Sequence, residues 1–351
     1  MFVRDGHGWV GAGALDRADF DGATQIRDAA NWWRASSARL DSATVAFGAF
    51  AFDPADSSAG GVLLVPAIAE RVESGLAAVP PTERTQRQVP RVTSGDMSPA
   101  AYEAAVADAV RMIAEGSIKK VVLARDVVVG SDEPISVTQL LAALATANPT
   151  AATFCVDGMI GASPETLVAV RNGRFSARVL AGTAAAGHGA DLLQSQKDLA
   201  EHRFAVDSVL EALEGLVERV AANDTPTVLD LPRLSHLATD ITGEVTGGAS
   251  VLDLVAALHP TAAVAGTPTV AAVDTIRRLE PFDRGRYSGP VGWVDGRGDG
   301  EWAIALRCAR IQEDGSLRAF AGAGIVAGSD PAAELAETEL KLRSILDVVG
   351  A

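Results

Sequence analysis

Apolar, β-branched runs recur along this chain in groups separated by turn residues, and this grouping restricts the fold more than any other feature of the sequence. ETLVAVR and RFSARVL meet at Asn172-Gly173, a dipeptide suited to the positive φ angles of a two-residue hairpin. KKVVLARDVVV reads as a buried strand, and AATFCVD, YSGPVGWVD, EWAIALRCARI and LRAFAGAGIV add further strands. Nearer the start, VAFGAFAF and GGVLLVPAI read as short strands between turns. Strands joined by tight turns pair antiparallel, whereas a doubly wound parallel sheet needs a crossover between each pair. An α+β fold of antiparallel sheets flanked by helices is the expectation.

The helices announce themselves by capping and period. Ser98 and Pro99 supply a cap and a first-turn proline, Tyr102, Val106, Val110 and Ile113 follow at helical spacing, and Gly116 ends the run. Further helices are predicted over 137–147, 192–220, 251–258, 270–279 and 331–348. The polar stretch 80–98, broken by Pro80, Pro81 and Pro90, reads as a surface loop. It divides an N-terminal portion, 1–90, from a core of 91–351 without making two independent domains, since 1–90 is expected to pack onto the same fold.

Thirty basic residues against 45 acidic ones leave a net charge of -15, so the long-range field repels polyanions, and no nucleic-acid partner is expected. A small anionic ligand would need a local positive pocket built against that field. The two cysteines, Cys155 and Cys308, are too few for a disulfide framework or a zinc cluster. The start lacks a signal-peptide core, and the most apolar long window, 251–273, is interrupted by Asp253, His259, Pro260 and Pro268. No membrane partner is expected, and a cytoplasmic protein is.

Several clusters could carry chemistry. On the last helix Glu334, Glu337 and Lys341 share one face; in KDLAEH, Asp198, Glu201 and His202 neighbour one another on a helix. Each set could be a solvated surface. If the two faces converge, their carboxylates suit a hard divalent cation such as magnesium. Alternation along KKVVLAR sends one of Lys119 and Lys120 inward, where burial lowers an amine's pKa toward that of a general base, or else both close a strand in solvent. Arg307, deep in AIALRCA, must find an anion, whether a structural carboxylate or a ligand. Glycine-rich FAGAGIVAGS and VDGRGDGEW lack the phosphate-loop and dinucleotide fingerprints.

Taken together, KKVVLARD, GASPETLV, LAGTAAAG, KDLAEH, LSHLATDITGEV, LHPTAAVAGTP, RRLEPFDRGRYSGPVGW, GEWAIALRCARI and FAGAGIVAGSDPAAELAETELKL resemble the chorismate-utilising enzymes. That family comprises isochorismate, salicylate, anthranilate and aminodeoxychorismate synthases. The resemblance implies a single-domain α+β fold of orthogonally packed antiparallel sheets, a dianionic substrate, chorismate, one Mg2+ ion and a monomer. By motif it implies that Lys120 activates water and that Glu165 protonates the departing hydroxyl. It implies Glu201 and Glu337 as magnesium ligands, with Asp198 and Glu334 at accompanying acidic positions. Tyr287, Arg307 and Lys341 match groups near the enolpyruvyl carboxylate, with backbone donors from Gly322 and Gly324. His236, Gly182, Thr183 and Ala263 match substrate-pocket positions.

Within that family, aminodeoxychorismate synthases with a nucleophilic lysine carry it in PIKGT; here the segment is VLAGT, with Ala181 at that place. Salicylate synthases tend to have threonine where this chain has Ala263, so the resemblance favours release of isochorismate. The alternatives are salicylate formation by subsequent pyruvate elimination, or a non-catalytic chorismate-binding scaffold. Ala184, Gln196 and the missing second proline of HPTAAV depart from the common pattern without removing any assigned residue. The product could feed menaquinone, siderophore or salicylate synthesis.

Overall fold

The structure is a computed structural model that describes residues 1–55, 57–73, 90–130, 135–185, 187–230 and 234–350, except the side chains of Thr183, Ala184, Ala185, Lys197, Glu201, Asp230 and Leu234. Two antiparallel sheets of ten strands each are found among them. The first runs Gly266–Thr267, Lys120–Gly130, Leu317–Ile325, Cys308–Ile311, Met159–Ser163, Ala152–Val156, Phe2–Arg4, His7–Ala12, Ile68–Val72, with Arg91–Ser94 also on Lys120–Gly130. The second runs Val217–Ala222, Leu234–Val245, Arg174–Ala185, Thr166–Arg171, Gly300–Ile304, Pro290–Asp295, Val45–Ala49, Gly61–Val65, Asp16–Phe20, with Thr227–Asp230 also on Leu234–Val245. The α+β expectation holds, and the Asn172-Gly173 hairpin forms with Arg171 opposite Arg174.

An apolar layer joins the sheets, with Phe2, Phe154 and Phe320 from the first against Phe47, Val291 and Ala303 from the second. Helices cover the outside. Pro99–Ala114 is capped by Ser98, whose Oγ accepts from Ala101 N at 3.2 Å, and packs on the last helix, Pro331–Val349. The last helix is capped by Asp330, which accepts from Ala333 N at 2.9 Å, and lies on Leu317–Ile325. Gln196–Ala212 packs on Arg174–Ala185. Among the described residues no helix is long and apolar enough to cross a membrane.

Four expectations need correction. The helix predicted over 192–220 is two helices, Gly189–Gln194 and Gln196–Ala212, followed by the strand Val217–Ala222. Gly215, at φ +78°, supplies the left-handed stop after Leu213. Residues read as turns and strands near the start include the helix Gln25–Ser37, with Ile26, Ala29, Ala30 and Trp33 buried at helical spacing. Of the 80–98 loop, residues 80–89 lie outside the described residues, and Arg91–Ser94 is a strand.

The fourth correction shapes the site. EWAIALRCARI is not one strand: Gly300–Ile304 belongs to the second sheet and Cys308–Ile311 to the first. Met159–Ser163 and Thr166–Arg171 make the same passage in the opposite direction. The two crossings are bonded to each other: Ile304 N donates to Glu165 O and Ala162 N donates to Arg307 O, both at 3.1 Å. Ser163 Oγ, fully buried, donates to Ile304 O at 2.5 Å and accepts from Glu165 N at 3.2 Å. Arg307 turns the corner at φ +49°, a left-handed conformation that costs an arginine about 1–3 kcal/mol and persists only where its surroundings impose it.

Candidate active site

Glu165 and Arg307 therefore stand on adjacent sheet-to-sheet crossings, placed by backbone bonds rather than by a helix or loop. Burial pushes the Glu165 carboxyl above its usual range, and the positive charges of Lys120, Arg307 and Lys341 pull against that shift. Those three cations come from three elements: the first residue of Lys120–Gly130, the corner at Arg307 and the last helix. Together they supply the local positive charge that an anionic ligand requires of so acidic a chain.

Lys120 lies where alternation placed an inward lysine, half-buried, while Lys119 is exposed. A Cβ on Gly324, across the sheet, would come 3.1 Å from Lys120 Cε, so the glycine leaves room for the lysine stem. Gly322 plays a related part: a Cβ there would lie 3.2 Å from the Tyr287 hydroxyl oxygen, and its own carbonyl accepts from Lys341 Nζ at 2.8 Å. Tyr287 is buried, stacked on Phe320 at 5.0 Å between centroids and 13° between planes, and burial pushes its hydroxyl up to about 12. Arg307 is lowered by burial, with Tyr287, Glu337 and Glu165 as the negative or polar groups near it.

The last helix contributes Glu334, Glu337 and Lys341, as its spacing predicts. Lys341 pairs with Glu337 at 2.5 Å. Glu334 is raised, chiefly by burial, against a hydrogen bond with Ser329, and the charge of Glu337 adds to the rise. His236, on Leu234–Val245, is lowered by burial against a backbone hydrogen bond with Gly182, and feels Lys120, Lys341 and Glu337. Gly182 adopts φ +78° at a bulge between Ala181 and Thr183, which brings it to His236. A Cβ there would stand 3.6 Å from the Asp198 Cβ, so the start of Gln196–Ala212 reaches the same region.

The remaining sequence candidates divide. Glu201 lies on Gln196–Ala212 and Thr183 on Arg174–Ala185, but their side chains lie outside the described residues. Among the described residues, no three histidine, cysteine or acidic side chains gather as a metal group. His202 faces away from any metal role: buried and lowered chiefly by burial, it hydrogen-bonds Ala181 O at 3.1 Å and Thr239 Oγ1 at 2.7 Å, tying its helix to the sheet. Ala263 is exposed, on the loop after Val251–Leu258. Sequence reasoning passed over Ser163 and the Glu280–Arg284 pair. Buried polar residues inside the motifs GASPETLV and RRLEPFDRGRYSGPVGW were the available signal.

The chain is similar over most of its length to several known proteins. Isochorismate synthase DhbC of Bacillus subtilis (strain 168) is 39% identical over 272 residues, which is 72% of this chain and 68% of that protein. Isochorismate synthase EntC of Escherichia coli (strain K12) is 38% identical over 262 residues, 71% of this chain and 67% of that one. The structure of MenF, the menaquinone-specific isochorismate synthase of Escherichia coli, superposes with a TM-score of 0.81 at 26% identity, covering 100% of this chain and 88% of that one. With the profile of the chorismate binding enzymes matching residues 63–350, the chain belongs to that family.

Proposed function

We infer that this protein is an isochorismate synthase, converting chorismate to isochorismate by adding water at C2 while the C4 hydroxyl departs. The observation that carries this reading is Glu165, a carboxyl raised by burial and ringed by Lys120, Arg307 and Lys341. Hydroxide is a poor leaving group, and a carboxylic acid that holds its proton nearer neutral pH can deliver it to the departing oxygen. Lys120 takes the opposite task, accepting a proton from the attacking water. Each transfer contributes about 10² to 10⁴-fold to the rate. Arg307, Lys341 and the Tyr287 hydroxyl hold the enolpyruvyl carboxylate, with Gly322 and Gly324 giving the backbone close approach. Gly182, Thr183, His236 and Ala263 line the pocket.

The acidic positions of the last helix fit a hard divalent cation. Glu334 and Glu337 lie one turn apart on one face and repel each other enough to help raise Glu334, a conflict that a bound cation relieves. We propose that Glu337 and Glu201 hold Mg2+, with Glu334 and Asp198 beside them. When bound, the ion supplies positive charge for the ring carboxylate of the substrate.

The test is purified protein incubated with chorismate, with and without Mg2+, and the products separated by chromatography. Isochorismate formed only with the metal supports the reading. Salicylate with pyruvate as the main product would replace it with a lyase, and unchanged chorismate would leave a binding protein.

A further inference from the structure

The strand that begins at Lys120 has a gap along one edge. Leu317–Ile325 pairs with its other edge throughout residues 121–129. On the gapped edge, Gly266–Thr267 covers Val121 and Lys120, and Arg91–Ser94 covers 127–130. Between these flanks Val122 N, Val122 O and Ala124 N are met by single bonds rather than by a strand. Val122 N donates to Ala265 O at 2.9 Å. The other two partners are side chains: Glu280 Oε1 accepts from Ala124 N at 2.7 Å, and Arg284 Nη2 donates to Val122 O at 2.7 Å.

Glu280 and Arg284 are joined by two hydrogen bonds, Nε to Oε2 at 2.8 Å and Nη2 to Oε1 at 2.5 Å, and their side chains are 1% and 2% exposed. The guanidinium has two further attachments. Its Nη1 donates to Val264 O at 3.1 Å, beside Ala263. Its centre lies 4.5 Å over the Phe52 ring and 5.9 Å from the Tyr287 ring. One buried ion pair thus touches the strand that starts at Lys120, the Ala263 loop and the ring of Tyr287.

A buried pair of this kind is a poor source of stability, because taking two charges out of water costs roughly what their attraction returns. Its distinguishing property is direction: a planar fork and a carboxylate fix several backbone groups at once. We propose that Glu280 and Arg284 are positioning residues for the reaction, standing in for the missing strand and fixing Lys120, the Ala263 loop and Tyr287 relative to one another. Neither touches the reacting atoms.

This inference rests on the isochorismate synthase reading, and the controls keep the two apart. Wild-type enzyme that fails to isomerise chorismate with Mg2+ sinks that reading; active wild type with unaffected variants sinks only the positioning role. Arg284→Lys keeps the charge and loses the fork. Its kcat, normalised to the folded fraction measured by near-UV circular dichroism, is expected to fall by about 10²-fold, the loss that follows a displacement of about 1 Å between reacting groups. KM should change less than kcat, and the pH profile of kcat should shift with the surroundings of Lys120. Should Arg284→Lys not fold, Glu280→Gln, which keeps an acceptor for Ala124 N, decides by the same measurements. A variant with a lower unfolding temperature but wild-type kcat and pH profile per folded molecule overturns the proposal. Failure of both variants to fold also overturns it, by making the pair a requirement of the fold instead.

Discussion

At the scale of single residues, burial sets the protonation states. Glu165→Gln keeps the shape and hydrogen-bonding surface of the side chain but has no proton to deliver, so kcat should fall by about 10² to 10⁴-fold while chorismate still binds. Steady-state kinetics with a fluorescence titration of substrate checks both halves; near-wild-type turnover removes Glu165 from the acid role. The sign of its shift also fixes a pH dependence. A carboxyl raised in the folded protein stays protonated to higher pH, so the rate limb that it governs falls as pH climbs through that raised value. His259 makes a stability prediction of its own. Its Nε2 donates to Phe52 O at 2.9 Å, its Nδ1 is buried without a partner, and burial pushes the ring down to about 4 from an ordinary 6.5. The unfolded chain takes up this proton first, so its contribution is whole above pH 6.5 and lost as pH falls toward 4, about 3 kcal/mol in all. Urea midpoints at pH 7 and 4.5 should differ less in His259→Gln than in wild type; equal differences would clear His259 of the effect.

At the scale of elements, the crossings between sheets hold the site, and Ser163 joins them. Ser163→Ala takes one of two donors from the Ile304 carbonyl, which keeps Leu306 N at 2.7 Å, and leaves the Glu165 amide without its acceptor, a buried deficit of about 1–3 kcal/mol. The unfolding free energy should drop by that amount, and Ser163→Thr, which restores a hydroxyl, should recover part of it; denaturant unfolding of both variants gives the answer. Elements whose signals are local were readable from the sequence: the Asn172-Gly173 hairpin, the Ser98 cap, the carboxylates of the last helix. Gln25–Ser37 was missed although Ile26, Ala29, Ala30 and Trp33 carry the helical period, because its cap residue Thr24 makes no side-chain capping bond and polar residues dilute the run. The strand Leu234–Val245 was missed because its serine, threonine and aspartate residues weaken any apolar alternation. Pro164 hinted at a break before Glu165, but nothing in AIALRCA announces a left-handed arginine. That conformation is imposed by a passage between sheets, a tertiary demand with no local sequence signal.

At the scale of the molecule, the first 72 residues are threaded through both sheets. Phe2–Arg4, His7–Ala12 and Ile68–Val72 extend the first sheet beyond Ala152–Val156, while Val45–Ala49 pairs directly with Pro290–Asp295 in the second. Phe50 stacks on the fully buried Trp302 at 5.4 Å between centroids, and Trp33 Nε1 donates to Asp295 O at 2.9 Å. The family profile begins at residue 63, which invites a truncation at that point. Such a chain would lose three second-sheet strands wholly or in part, among them the neighbour of Pro290–Asp295, and would expose both aromatic contacts and a row of strand donors and acceptors. Residues 63–351 alone should therefore aggregate or remain unfolded, whereas the full chain should unfold in one transition, since apolar clusters drawn from both sheets bind them together. Calorimetry of the full chain and circular dichroism of the truncated one check the two outcomes. A soluble, cooperatively folding fragment 63–351 would show that the strands before it decorate a core able to stand without them.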